Sequence, residues 1–324
     1  ERDTIVHYIL EKMIEKYSST PKECLELTDE QLSNQVSELM QKQLEKLNQG
    51  REFTSVEKFS QIKLVKTMVE LVKRVMGELC NTDFKVYKTE LKIGSKKGAP
   101  TLIPAYEVDI NNGRKVVVTG IVDRVDYYKT ENDTYLRIID YKTGRKELNL
   151  CDVVKGQNIQ MLLYMHAIIS AVSKTSTDIL PAGVYYMPAR NDYVSVNKDE
   201  EKGKINAQLM DKLRYCGITT SNETVINAMD KTEDRYYSPV KLKYKKNDPE
   251  VLFTQEQFKL LGEKIDKLLI EMGNGLYESD FEATPITPEK SMHTVCDYCD
   301  YRAICGRQPD EEGSIIYKFK NSKI

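Results

Sequence analysis

Apolar residues recur every three or four positions through the first 80 residues and then, from Phe84 onward, at every second one, so the chain reads as helices followed by strands. Ile5, Val6, Ile9, Leu10, Met13, Ile14 and Tyr17 form one helical stripe that stops before Ser18-Ser-Thr-Pro21. Leu27-Thr-Asp-Glu-Gln31 is a capped start for a second helix running to about Leu47, and a third is predicted over Ser55 to Cys80. Alternation marks strands at Phe84 to Ile93, Leu102 to Ile110 and Gly183 to Met187, with Asn111-Asn-Gly113 as a tight hairpin turn. Lys115 to Asp126 and Tyr135 to Lys142 read as a further hairpin around the turn residues Thr130-Glu-Asn-Asp133. A helix is predicted from about Asn158 to Ser173, and small helices and loops over the Lys-rich stretch 190 to 250. An amphipathic helix follows from Thr254 to Met272, with Phe258, Leu261, Ile265 and Leu268 in a row. The order predicts one α/β unit with helical elaborations and no internal repeat.

The second hairpin carries the most specific chemistry. If its turn centres between Glu131 and Asn132, Asp123 lies opposite Asp140, and strand alternation puts Lys142 on the same face. Opposed Cβ atoms on such strands are about 5 Å apart. Two carboxylates at that spacing repel unless a cation lies between them, and hard oxygen ligands suit Mg²⁺ or Mn²⁺. The same pattern also fits a solvated strand face. Gln157, Gln160 and Tyr164 fall on the helix after Lys142, with Gln160 and Tyr164 at i, i+4 on one side. His7 sits at the edge of the first apolar stripe, and Glu90 on the strand before the hairpin, where it is also an ordinary surface charge.

Composition narrows the classes. A chain of 324 residues with 40% hydrophobic and 30% charged residues is an ordinary soluble protein with ample core. Its formal net charge of -2 is not that of a free-standing nucleic-acid binder, so any DNA contact must rest on a local patch or on a partner. No apolar run reaches membrane-spanning length, and without a secretory leader a cytoplasmic location is expected. Opening on Glu1, already in helical pattern, the chain reads as a piece of a longer protein. No G-x-x-x-x-G-K-[ST] loop occurs, since Gly94-Ser-Lys-Lys-Gly98 lacks the spacing and the hydroxyl, so an ATPase motor is expected elsewhere. Seven cysteines argue for thiols or metal over a disulfide framework. Cys296, Cys299 and Cys305 follow C-x2-C-x5-C, a metal or cluster spacing that by itself reads as zinc. Cys80, Cys151 and Cys216 read as buried small apolar residues.

Gly120-Ile-Val-Asp-Arg-Val-Asp126, Ile139-Asp-Tyr-Lys-Thr-Gly144 and Gln160-Met-Leu-Leu-Tyr164, in that order, resemble the RecB-type branch of the PD-(D/E)XK nucleases. His7, within Thr4-Ile-Val-His-Tyr-Ile-Leu-Glu11, sits where that branch carries a helix-borne metal ligand. Pro181-Ala-Gly-Val-Tyr-Tyr186 and the cysteines narrow the resemblance to the nuclease region of AddB-type subunits of bacterial AddAB helicase-nucleases. It implies a restriction-endonuclease-like core, a central mixed sheet flanked by helices, with a C-terminal cysteine cluster. The corresponding division is a helical part over 1–82 with the ligand His7, a nuclease core over 83–190, a helical elaboration over 191–292, a cluster segment over 293–310 and a tail over 311–324.

The implied mechanism has His7, Asp123, Asp140 and the Tyr141 carbonyl binding Mg²⁺ or Mn²⁺. Lys142 positions or activates the attacking water and stabilises charge on the phosphate, with Gln160 and Tyr164 holding the strand or supporting the metal shell. Hydrolysis then leaves a 5′ phosphate. The implied activity is DNA exonuclease action on single strands delivered by a helicase, in double-strand-break repair by homologous recombination, with DNA and an AddA-type subunit as partners. A catalytically silent nucleic-acid-binding or scaffold domain of the same fold is the alternative, and retention of Asp123, Asp140 and Lys142 speaks against it. The resemblance also favours a [4Fe-4S] cluster on Cys296, Cys299 and Cys305, its fourth cysteine upstream of residue 1, with Cys24 and His293 as lesser candidates.

Overall fold

The apolar stripe of the N-terminus winds into helix α1 (Arg2–Tyr17), which buries the seven residues that define the stripe. A short α2 (Pro21–Leu25) follows, then α3 (Asp29–Asn48) and α4 (Ser55–Cys80). A full capping box starts α4: Thr54 accepts from the Glu57 amide, and Glu57 accepts from the Thr54 amide. Next come β1 (Lys85–Ile93), β2 (Tyr106–Ile110), β3 (Arg114–Val118), β4 (Gly120–Lys129) and β5 (Thr134–Lys142). After α5 (Leu150–Val154), α6 (Gln160–Ser173) and β6 (Ile179–Pro188) lie α7 (Lys202–Lys212), β7 (Cys216–Thr220), α8 (Glu223–Met229) and β8 (Leu252–Phe253). The remaining elements are α9 (Gln255–Glu278), β9 (Ile286–Pro288), α10 (Arg302–Cys305) and β10 (Ile315–Tyr317). This is a computed structural model, and it describes residues 2–48, 52–95, 99–144, 146, 148–173, 179–193, 202–240, 251–280, 284–288, 295–306 and 315–317.

Two compact units divide the chain, the first comprising Glu1–Tyr106, Val118–Leu148 and Gln160–Gly262. It holds a six-stranded mixed sheet in the order β1-β4-β5-β6-β7-β8. The pairs β1/β4, β4/β5 and β6/β7 are antiparallel, whereas β5/β6 and β7/β8 are parallel. Thr130 and Asp133 close the β4–β5 turn, and the register pairs Arg124 with Ile139, the alignment expected from the turn residues. The core forms where α1, α3 and α4 lay their apolar faces against the sheet, from Ile9 and Val36 through Val72 to Ile139 and Tyr185.

Within that core lies a charged network. Arg124 donates to both Glu78 and Asp126, Arg137 donates to the same two carboxylates, and Tyr215 donates to Glu78 at 2.7 Å. Glu78, Arg124, Asp126 and Arg137 are all at most 1% exposed, so two cations meet two anions out of water with their hydrogen bonds satisfied. Burial disfavours the Glu78 carboxylate, but Arg124 and Arg137 overcome it and hold its pKa below the ordinary value.

The second unit comprises Glu107–Val117, Asn149–Ile159 and Glu263–Ile324. In it the β2–β3 hairpin turns through Asn112 and Gly113, at φ of 62° and 67°, where the left-handed region favours such residues. The hairpin packs on the later part of α9: Asn274 accepts from the Asn111 amide, and the Arg114 guanidinium stacks 3.6 Å from the Tyr277 ring centre. Strands β9 and β10 pair in parallel.

The structure departs from the sequence expectations at several places. Lys115 to Asp126 is not one strand: β3 pairs with β2, while β4 begins at Gly120, where a Cβ would meet the Tyr164 hydroxyl at 2.2 Å. Gln157 is not on the helix after Lys142; it lies before α6, in a turn where its amide nitrogen donates to Asp152. Helix α2 and strand β7 were not expected, since Pro21 at a first helical turn looks like a break and β7 is buried on nearly every residue, leaving no alternation. Cys80 and Cys216 are half-buried, not core, and the Cys151 side chain lies outside the described residues.

Candidate metal centre

Strand alternation sends Arg124 and Asp126 into the buried network and leaves Asp123 on the opposite face of β4. Asp123 Oδ2 accepts the Tyr141 amide at 2.8 Å, which ties its carboxylate to the middle of the Asp140-Tyr141-Lys142 run. His7 reaches in from α1, with Nδ1 3.4 Å from Asp123 Oδ1 and Nε2 3.0 Å from the Tyr141 carbonyl oxygen. Asp140 is 7% exposed and pairs with Lys142, whose Nζ lies 2.6 Å from Oδ2 and also 5.8 Å from the Tyr186 ring centre. The expected residues His7, Asp123, Asp140, Tyr141 and Lys142 therefore gather at one end of the β4–β5 pair.

Glu90 joins them. It lies on β1 between the pairs Thr89 with Arg124 and Leu91 with Val122, beside Asp123, after a bulge at Tyr87 that shifts the register. Its backbone is held at a φ of 48°, unfavourable for a residue with a Cβ, so the strand is bent where the carboxylate is delivered. One ligand atom from each of His7, Glu90 and Asp123 falls within 4.8 Å of the others. Asp140 is not in that trio, although the Asp123 charge acts on it.

The electrostatics are those of anions gathered short of a cation. Burial raises the Asp140 pKa, and Asp123 adds to the rise. Burial likewise pushes Glu90 up to about 7, again with Asp123 contributing. For His7 burial opposes the charged form, but Asp123, the Tyr141 carbonyl and Glu90 together outweigh it and push the imidazole up to about 9. One imidazole nitrogen, carboxylate oxygens and a main-chain carbonyl form a donor set suited to Mg²⁺ or Mn²⁺, and the residues present fit such an ion.

Gln160 and Tyr164 face one another on α6 with the amide donating to the hydroxyl at 3.2 Å, and Tyr164 sits over Gly120, three residues before Asp123. In the second unit Cys296, Cys299 and Cys305 occupy a turn and the four-residue α10, with Cys299 and Cys305 exposed. The Cys299 amide donates to the Cys296 carbonyl and Gly306 caps the helix at a φ of 66°. Cys24 is 1% exposed in the helical core, where burial pushes its thiol up to about 11. His293 lies outside the described residues.

A profile of the PD-(D/E)XK nuclease superfamily matches residues 4–306, from the helix bearing His7 to the last of the cysteines. The chain belongs to that superfamily. Among similar proteins, an ATP-dependent helicase/deoxyribonuclease subunit of the B type from Thermoanaerobacter sp. (strain X514) is 30% identical over 233 residues, 70% of this chain and 20% of that protein. The protein of the same name from Clostridium tetani is 28% identical over 254 residues, 77% of this chain and 22% of the relative. That of Clostridium novyi is 26% identical over 330 residues, 99% of this chain and 28% of the relative. The chain thus spans between a fifth and somewhat over a quarter of the length of these relatives, and superfamily and names together support a nuclease-type role. No helix among the described residues is long and apolar enough to cross a membrane.

The raised pKa values fix the sign of a pH dependence. His7 keeps its proton up to about pH 9 when folded against 6.5 in the unfolded chain, so its contribution is complete below 6.5 and lost as pH rises through 9. Glu90 acts in the same direction, complete below 4.5 and lost through about 7. Denaturation of the metal-free chain at a series of pH values is expected to show stability falling by up to about 3 kcal/mol between pH 6.5 and 9. His7→Gln should flatten the upper part of that fall, and Mn²⁺ should stabilise more at pH 8 than at pH 6 because ligation needs the unprotonated imidazole. Stability that rises over this window contradicts the assignment.

Proposed function

We propose that the chain is a metal-dependent DNA nuclease domain that hydrolyses phosphodiester bonds, acting as an exonuclease on single strands delivered by a helicase during recombinational repair of double-strand breaks. The observation that carries this reading is the convergence of His7, Glu90 and Asp123 beside the Asp140–Lys142 pair, in a chain of this superfamily. His7, Asp123, Asp140 and the Tyr141 carbonyl would hold Mg²⁺ or Mn²⁺, with Glu90 added as a fifth donor or as a holder of bound water. A bound divalent ion supplies an acidified water and neutralises charge on the phosphate.

The chain's own residues do the rest. The Lys142 ammonium, held by Asp140 on the exposed side of the site, presents hydrogens to the attacking water and to the phosphate oxygens as negative charge builds. A compact ammonium can face one water beside a cation, which a planar guanidinium cannot do as closely. Gln160 and Tyr164, fixed to each other over Gly120, would brace the strand that carries Asp123 or hold the substrate. DNA and an AddA-type subunit are the partners this reading requires, in the cytoplasm, since the matched relatives are named as one subunit of a helicase/deoxyribonuclease.

Cleavage of labelled single- and double-stranded DNA with Mg²⁺, Mn²⁺ or EDTA tests the reading. Asp140→Ala, Lys142→Ala and Lys142→Arg should each lose at least about 100-fold of the metal-dependent cleavage, in line with removal of a single charge-stabilising group, while melting cooperatively. Unchanged cleavage by either alanine variant removes the assignment.

Cys296, Cys299 and Cys305 would ligate a [4Fe-4S] cluster that staples the end of the chain, with the fourth cysteine outside this sequence. Iron measured on anaerobically purified full-length relative and on this chain should differ, with stoichiometric iron only in the former. Equal iron in both places the fourth ligand within these residues.

A further inference from the structure

One face of α4 links the candidate centre to exposed surface. Arg74 donates to the carbonyl of Pro188, at the end of β6 that pairs with Lys142. One and two turns nearer the helix start, the same face carries Glu70, its one acid here, and Thr67, whose hydroxyl accepts from Asn191 at 3.5 Å. Lys66, Lys63 and Phe59 continue that face outward, and from Thr67 to Phe59 is about 12 Å along the helix axis. Phe59 is 57% exposed, with the Lys63 ammonium 4.6 Å from its ring centre.

The segment leaving β6 runs alongside. Arg190 donates to the carbonyl of Gly144, just past Lys142, at 2.6 Å. Tyr193 follows at 85% exposure, and Lys212 of α7 donates to its carbonyl. Among the described residues of this segment Asp192 is the acid, within 4 Å of both Arg190 and Lys212, and the cations named here outnumber Glu70 and Asp192. In a chain of net charge -2, two widely exposed aromatic rings, with Lys63, Lys66, Arg190 and Lys212 on the same or contacting segments, near the Lys142 end of β5 stand out.

We infer that Phe59 and Tyr193, with Lys63, Lys66, Arg190 and Lys212, form the track on which a single nucleic-acid strand lies as it enters or leaves the centre. The aromatic rings stack on bases and the cations follow the backbone, the combination that binds single strands with little sequence preference. Charge selects this occupant over a protein face, since a polyanion gains from every lysine that an apolar partner would have to desolvate. The inference deepens the nuclease reading and rests on it for the identity of the centre, while binding along the track can be measured without any cleavage.

The test is binding of a fluorescein-labelled oligothymidylate to the whole chain in EDTA, followed by anisotropy across a salt series. Phe59→Ala and Tyr193→Ala should each weaken binding roughly tenfold, and Phe59→Tyr and Tyr193→Phe should restore it. Lys63→Gln with Lys66→Gln should lower the slope of log affinity against log salt by about 1.4, two phosphate contacts' worth. With metal present, these variants should raise KM for the oligonucleotide and leave hydrolysis of bis(p-nitrophenyl) phosphate, which reaches only the centre, unchanged. Oligonucleotide binding and salt slope unaltered in all the variants overturn the track and leave this face to a protein partner. If neither phosphodiester is hydrolysed but binding in EDTA still depends on Phe59 and Tyr193, the nuclease reading fails and the track stands.

Discussion

Repulsion among carboxylates at the end of the β4–β5 pair is the constraint to which the surrounding structure responds. Asp123, Glu90 and Asp140 are partly or largely withdrawn from water, and unit charges about 4 Å apart near a protein surface repel by roughly 4 kcal/mol. Such a site survives only if the strands cannot splay and if positive charge is at hand. His7 and Lys142 supply the charge. The strands are held from the other face, where Arg124 and Arg137 each bridge Glu78 and Asp126 in full burial. Because Asp126 stands opposite Arg137 and Arg124 opposite Ile139, the network locks the register, and a slip of one residue would turn Asp123 into the core. The ion network therefore positions the site without touching it.

Most of this was legible in the sequence because it follows from period and register. The turn at Thr130 to Asp133 fixes which residue faces Asp140, and alternation fixes the face. His7 was legible as the polar edge of a stripe whose seven apolar members all went into the core. Glu90 was visible only as a charge on a strand. Its place depends on a bulge at Tyr87 and a left-handed backbone at Glu90 itself, and neither has a glycine to announce it. Strand β7 was hidden for the opposite reason: Gly217, Ile218, Thr219 and Thr220 are all buried, so no polar face breaks the run into a period of two.

The proposed function sets a nearly neutral chain against a polyanion. Positive charge is placed locally, at Lys142 beside the centre and at Lys63, Lys66 and Lys212 on α4 and α7, while the buried network pairs two cations with two anions and adds no net charge. The matched relatives are roughly three and a half times as long as this chain, so in the proposed assembly the affinity for DNA need not reside here.

Crystals soaked in Mn²⁺ and measured at the manganese absorption edge would show the metal itself. One strong anomalous peak is expected within ligand distance of His7, Asp123, Asp140 and the Tyr141 carbonyl oxygen, absent in Asp123→Asn. A centre without such a peak at saturating Mn²⁺, with His7 still resting on Asp123 and the Tyr141 carbonyl, contradicts the assignment of these residues as a metal site.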